Sequence, residues 1–226
     1  MPSLKEYKAK LASLNNTRKI TKTMKMVAAS KLYRTMDAQR KATLYAAKLE
    51  ELIARLAASV DPRANPLLQA RPEPRSALLI VMMSDKGLCG GFNNNLIKHV
   101  SRWHQHPAQQ AKKVKLSFAG RRGWLFFRNR AAVQKHYENI TARPTPADAL
   151  RISQEATRGF LNGEFDEIYL AYNHFSNPLS QKPLIKKLLP IEAHSIAAAE
   201  EKLHDLFILE PPEGELLATL LPQIIQ

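Results

Sequence analysis

The sequence predicts an α/β protein in which a long N-terminal helix precedes a doubly wound unit of alternating strands and helices. Three observations carry that expectation. Between Ser3 and Val60 there is neither glycine nor proline, and the first glycine is Gly87. Asp61 to Arg75 then holds Pro62, Pro66, Pro72 and Pro74. Beyond that, apolar runs rich in branched residues alternate with segments of helical spacing, the pattern of a sheet covered by helices.

The helix is expected over residues 1–60. Ser3 followed by Glu6 gives a capping-box start, and Leu4, Tyr7, Leu11 and Leu14 recur at steps of three and four on one stripe. The apolar face then shifts to Ile20, Met24, Val27 and Ala28, and recovers as Leu49, Leu52, Ile53 and Leu56. Ala28, Ala29, Ala42, Ala46 and Ala47 would let another helix come close. Unbroken, the element would be about 85 Å long at 1.5 Å per residue, and a helix of that length is expected to project from its own domain. Asn15, Asn16 and Thr17 have poor helix propensity and mark where a break into two antiparallel helices would fall.

Residues 61–75 read as a proline-rich, semi-extended linker, and residues 76–210 as the α/β domain. Ala77 to Met83 is a continuous apolar run suited to a strand buried on both faces. A glycine-rich turn follows, then a helix from about Asn94 to Trp103, a strand at Val114 to Ala119, and a short helix at Gly123 to Arg130. Pro146 to Leu161 has helical spacing in Ala149, Ile152, Ala156 and Phe160. Asp166 to Tyr172 alternates toward a third strand, and Leu184 to Leu189 adds an edge strand. Residues 211–226 read as the start of a C-terminal helix whose apolar face is Leu216, Leu217, Leu220, Leu221, Ile224 and Ile225, with Pro222 bending or ending it.

Composition removes several classes. The 226 residues include 34 Lys and Arg against 20 Asp and Glu, for a net charge of +14, and a single cysteine. One cysteine cannot form an internal disulfide, and no apolar run approaches the length of a membrane span. The expectation is a soluble protein of a reducing compartment, by default the bacterial cytoplasm, with an anionic partner.

Four constellations invite a chemical reading. Ser84 to Asn93 (SDKGLCGGFN) is a glycine-rich turn between strand and helix, a place that can hold phosphate. Its spacing matches neither G-x-x-x-x-G-K-[ST] nor G-x-G-x-x-G, so tight helix packing explains the glycines better. Cys89 reads as a buried, inert thiol. His104 and His106 form an H-x-H pair with no second cluster, expected to be solvated. Glu164, Asp166 and Glu167 read as a polar loop rather than an acid/base pair. No active site, cofactor site or metal site emerges.

The strongest signal is electrostatic. Arg18, Lys19, Lys22, Lys25, Lys31, Arg34, Arg40 and Lys41 face a single acid, Asp37, on an element too long for its own domain to cover. A large anionic groove or cavity in a partner is the expected target. A basic nucleic-acid-binding protein is the alternative, although aromatic interleaving and a helix-turn-helix pattern are missing. A nucleotide-dependent enzyme using Gly87 to Gly91 is a third reading.

Two strings then become specific. Asn16 to Lys31 (NTRKITKTMKMVAASK) and Ser84 to Asn93 together resemble the gamma subunits of F-type ATP synthases. The likeness extends to Gly120-Arg121-Arg122-Gly123, to Tyr172-Asn173-His174-Phe175, and to Leu209-Glu210-Pro211 with the leucines after it. It implies a Rossmann-like three-layer α/β domain and a long helix forming half of an antiparallel coiled coil. It also implies a central rotor stalk that couples ion-driven rotation of a membrane ring to ATP synthesis or hydrolysis, with no catalytic site or cofactor of its own. The implied partners are the alpha and beta subunits, the epsilon subunit and the c-ring, without nucleic acid and without membrane insertion. The implied location is the cytoplasmic face of the bacterial inner membrane. On this reading Met24, Lys25, Lys31 and Arg34 meet acidic loops of the beta subunits, and Glu210 belongs to the ring-facing region. The family continues past Pro222 into a second long helix, so a C-terminally short form lacking that helix is expected.

Overall fold

The computed structural model describes residues 3–59, 65–142, 144–191, 219–221 and 225. Contacts divide the chain into two units, Met1–Leu49 and Glu50–Gln226.

A single helix, α1 (Leu4–Ser59), runs through 56 residues without interruption, about 84 Å at 1.5 Å per residue. The alternative of two antiparallel helices is thereby excluded. The capping box forms as expected: Glu6 N–H donates to Ser3 Oγ at 3.3 Å and Ser3 N–H to Glu6 Oε2 at 2.7 Å. The anticipated weak point at Asn15, Asn16 and Thr17 does not break the helix. Thr17, Thr21, Thr23 and Thr35 turn their hydroxyls back to carbonyls one turn earlier, at 2.8 to 3.0 Å, so these side chains are satisfied without leaving helical geometry.

In the second unit, Pro66–Leu68 forms a 3-10 turn capped by Asn65, with Leu67 and Leu68 buried. Five strands follow: β1 (Ser76–Met82), β2 (Lys113–Ala119), β3 (Val133–Tyr137), β4 (Glu167–Asn177) and β5 (Ser180–Leu189). Their spatial order is β3-β2-β1-β4-β5. The first three pairings across that order are parallel and the last is antiparallel. The connecting helices are α2 (Phe92–His104), the short α3 (Pro107–Gln110), α4 (Arg121–Phe127) and α5 (Pro146–Leu161).

Alternation along β1 builds the layers. Ala77, Leu79 and Val81 join Leu96 and Val100 of α2 and Phe127 of α4 in one buried cluster with Leu116 and Phe118 of β2. Leu78 and Ile80 point to the other face and are equally buried, as are Ala156 and Phe160 of α5, which packs on β4. Burial of each such large side chain is worth about 1.5–3 kcal/mol. The three-layer expectation is met, with one strand added. The sequence reading placed no strand at 133–137, because β3 is a short edge strand whose Gln134 and Lys135 are exposed and which carries no apolar run. Of the expected C-terminal helix, residues 219–221 are helical, Leu221 is buried and Ile225 lies in a turn; the rest of 211–226 lies outside the described residues, as does Glu210.

Candidate functional site

The first unit is a helix whose side chains from Ser3 to Lys48 are exposed, apart from a half-buried Met36. Between Glu6 and Glu50 its single carboxylate is Asp37, which is already paired with Lys41 at 2.8 Å. The positive charge of Arg18 to Arg34 is therefore not neutralised within the helix.

At about 100° per residue, the sequence-predicted residues separate. Met24 and Lys31 lie within about 20° of each other and Arg34 about 60° beyond Lys31, on the side that also carries Ile20 and Val27. Lys25 lies about 100° from Met24 in the other sense, in line with Arg18 and Lys22. All four are exposed, but three share a face and Lys25 does not.

What stepwise reading of the apolar stripe missed is a single heptad frame. Steps of three and four from Leu4, Tyr7, Leu11 and Leu14 continue through Arg18, Thr21, Lys25, Ala28, Leu32, Thr35, Gln39, Ala42 and Ala46 to Leu49 and Ile53. Leu49 and Ile53 are buried. A 3.5-residue period over that length is the signature of a supercoiling seam, and polar residues at seam positions fix register at a cost in stability. Lys25 thus sits on the seam line, and Met24, Lys31 and Arg34 on a flank.

The glycine-rich turn is organised from within. Asn93, buried at the start of α2, accepts from Ser84 N–H at 3.2 Å and donates to Ser84 Oγ at 2.7 Å and Cys89 Sγ at 3.1 Å. Ser84 Oγ in turn donates to Lys86 O at 2.6 Å. Asp85 accepts from Arg121 N–H at 3.0 Å and from the Thr141 hydroxyl. These polar side chains hold the turn and anchor it to α4. Of the turn's glycines only Gly90 has a positive φ, and a Cβ there would meet nothing within 4 Å, so backbone freedom rather than tight helix packing is what that glycine supplies. Cys89 is exposed, which corrects the expectation of a buried thiol: Leu88 adopts φ +62° beside Gly90 at +57°, and this left-handed pair turns residues 88–90 outward.

His104 is half-buried and His106 exposed, its Nδ1 accepting from Ala108 N–H at 3.4 Å. No metal-holding group of His, Cys, Asp and Glu occurs among the described residues. Of the three acids expected to form a polar loop, Glu164 is exposed, whereas Asp166 and Glu167 are buried where β4 begins. Asp166 is buried and accepts from the N–H groups of Arg75 and Ser76 at 2.8 Å each, from the Ser76 hydroxyl at 2.9 Å and from Arg71. Burial alone would raise its pKa, but those donors overcome it and hold the carboxyl below its ordinary value. Glu167, buried between Lys112 and Lys187, is likewise held low against the pull of burial. Both tie strand ends together, a structural role.

Comparison with known proteins decides the lineage. A family model described as ATP synthase matches residues 3–226, and the ATP synthase gamma chain of Geobacter metallireducens is 41% identical over 226 residues, all of this chain and 78% of that protein. The chain belongs to the ATP synthase gamma family. The gamma chain of Anaeromyxobacter sp. strain K is 40% identical over 227 residues, covering 99% of this chain and 77% of its own length. Among solved structures, the central stalk and c-ring structure of the Tetrahymena thermophila mitochondrial ATP synthase matches with TM-score 0.60 at 22% identity, over 91% of this chain and 87% of that one. The rotor of the Euglena gracilis enzyme matches with TM-score 0.58 at 15% identity, over 97% and 80%. At those identities the shared property is the fold alone. Nothing in these comparisons supports a nucleic-acid-binding protein.

Proposed function

We propose that this gamma-family chain is the central rotor stalk of an F-type ATP synthase, turned by a membrane ring and coupling that rotation to ATP synthesis or hydrolysis in the catalytic head. The observation that carries the reading is α1: 56 uninterrupted helical residues with a heptad seam on one line and Met24, Lys31 and Arg34 on its flank. Residues 1–60 form the shaft, 61–75 the linker, 76–210 the α/β domain and 211–226 the start of the second shaft helix. A stiff helix transmits torque, and its seam receives the second helix.

Met24, Lys31 and Arg34 meet acidic loops of the beta subunits, with Lys25 reaching them from the seam line, and Glu210 lies toward the ring. Exposed ion pairs worth about 0.2–1 kcal/mol suit contacts that must break at every step, and complementary charge guides each loop to its next position. Alpha, beta and epsilon subunits and the c-ring are the partners. Catalysis belongs to the beta subunits; the inward-bonded glycine turn supports a chain without a catalytic site of its own. Among the described residues no helix is long and apolar enough to cross a membrane, in keeping with a peripheral place at the cytoplasmic face of the bacterial inner membrane.

Mixing the purified chain with alpha and beta subunits tests this. Co-elution with the catalytic hexamer in gel filtration, weakened by added salt, is the expected result, with no ATP hydrolysis by the chain alone. A chain that never joins the hexamer at any ionic strength refutes the reading.

A further inference from the structure

Strand β4 outlasts the sheet that supports it. Its pairing with β1 ends at Ala171, whereas its pairing with β5 continues to Asn177 and Ser180. Residues 172–184 therefore form a two-stranded ribbon beyond the sheet, and a ribbon of two strands is marginal in water without something to pack on. Its base is pinned by Asn173 Nδ2, which donates to Phe92 O at 3.1 Å. Its tip is also locked. Asn177 Oδ1 accepts from the N–H groups of Leu179 and Ser180 at 2.9 and 2.8 Å, and Gln181 Nε2 donates to the carbonyls of Asn177 and Pro178 at 3.0 and 2.9 Å. The residue held out by this network is Leu179, 98% exposed.

One face of the ribbon is ordered along its length. Tyr172 pairs with Leu184 near the base, and His174 with Lys182 farther out. Lys182 is exposed on this face and lies across from His174, which offers it no carboxylate. The sequence supplies none locally, because no carboxylate occurs between Glu167 and Glu192. An ordered tip, an exposed leucine and an exposed lysine with no acid nearby in sequence are costs to a free chain and assets to a bound one.

We propose that the β4–β5 ribbon is a docking arm for an acidic protein surface with an apolar socket on another subunit of the complex, Leu179 filling the socket and Lys182 with His174 meeting the carboxylates. The proposal rests on the rotor reading, since it requires assembly with other subunits.

The test places a photo-crosslinking phenylalanine analogue at position 179 of the full chain and assembles it with alpha, beta and epsilon subunits. The expected result is an adduct confined to one carboxylate-rich segment of one subunit. Lys182→Glu should weaken that subunit's binding roughly three- to ten-fold, Leu179→Asp should do the same, and Lys182→Arg should leave it unchanged, with far-UV circular dichroism constant throughout. A complex that assembles normally with no adduct at 179, or adducts on a segment without carboxylates, overturns the docking arm and leaves the rotor reading standing. Binding of the chain to phosphatidylglycerol vesicles that Lys182→Glu abolishes also overturns it, in favour of a lipid surface. Failure of the unmodified chain to assemble overturns the rotor reading and the docking arm with it.

Discussion

Gly120 packs its α-carbon against the backbone of Met83 so closely that a Cβ there would lie 2.0 Å from the Met83 carbonyl oxygen. Its φ of +114° belongs to a region that side chains avoid. The contact joins the end of β2 to the segment after β1, where Met83 N–H donates to Ala119 O at 2.8 Å. Gly123, one turn on, meets only side-chain atoms, Met83 Sδ at 2.7 Å and Phe118 Cδ1 at 2.8 Å.

That difference orders two substitutions. Gly120→Ala combines backbone strain with a clash against immovable main chain, and is expected to cost about 2–6 kcal/mol. Gly123→Ala asks two side chains to shift and is expected to cost about 1–3 kcal/mol. Urea denaturation followed by tryptophan fluorescence checks the order, since Trp103 and Trp124 both lie in the α/β unit; equal midpoints for the two variants contradict it.

Acid should loosen the same unit through Asp166 and Glu167. Both carboxyls are held below their ordinary pKa in the folded chain, so the folded state binds their protons more weakly than the unfolded state does. Their stabilisation is complete above the unfolded values near 4, and is lost as pH falls from there through the depressed folded values. Asp166→Asn removes the charge that four donors surround and is expected to cost roughly 1–3 kcal/mol at pH 7. Melting temperatures from pH 6 down to pH 2.5 should fall less steeply in the variant than in the parent.

How far the sequence carried these conclusions varies with burial. Strand β1 and helix α5 were legible almost to the residue, because an apolar run between turn residues and a 3.6-residue spacing leave few alternatives. Strand β3 was not, because an edge strand with one covered side needs no apolar run. The roles of Asp166 and Glu167 were hidden because their partners, Arg71, Lys112 and Lys187, are distant or unremarkable in sequence. Cys89 misled because its outward turn depends on a positive φ at Leu88, which leucine does not advertise. The seam on α1 was readable only at a period of 3.5, since Arg18, Thr21 and Lys25 interrupt the leucines that announce it. Three of the four proposed contact residues on that helix share a face by geometry that counting alone supplies, and the same counting sets Lys25 apart.

The seam makes a prediction that depends on what is present. Ile53 is fully buried and Leu14 is 61% exposed, although both occupy the same heptad line. Ile53→Ala should cost about 2–5 kcal/mol in the isolated chain. Leu14→Ala should change it by no more than about 0.5 kcal/mol, and should matter only once a second helix covers that stretch. Thermal melts of the two variants alone, then in the assembled complex, check both halves.

Charge reversal on the flank of α1 separates partner contact from folding. Lys31 and Arg34 are exposed, and the nearby Asp37 is taken by Lys41, so Lys31→Glu with Arg34→Glu should leave helicity by circular dichroism unchanged. Two exposed pairs at about 0.2–1 kcal/mol each correspond to a loss of roughly two- to thirty-fold in affinity for the alpha and beta subunits, and repulsion from acidic loops pushes toward the upper end. Cys89→Ser, which touches only the self-bonded glycine turn, should fall well below that range. Screening exposed pairs with salt should narrow the gap between the double variant and the parent. An affinity unchanged by the double reversal at low ionic strength would remove Lys31 and Arg34 from the contact face.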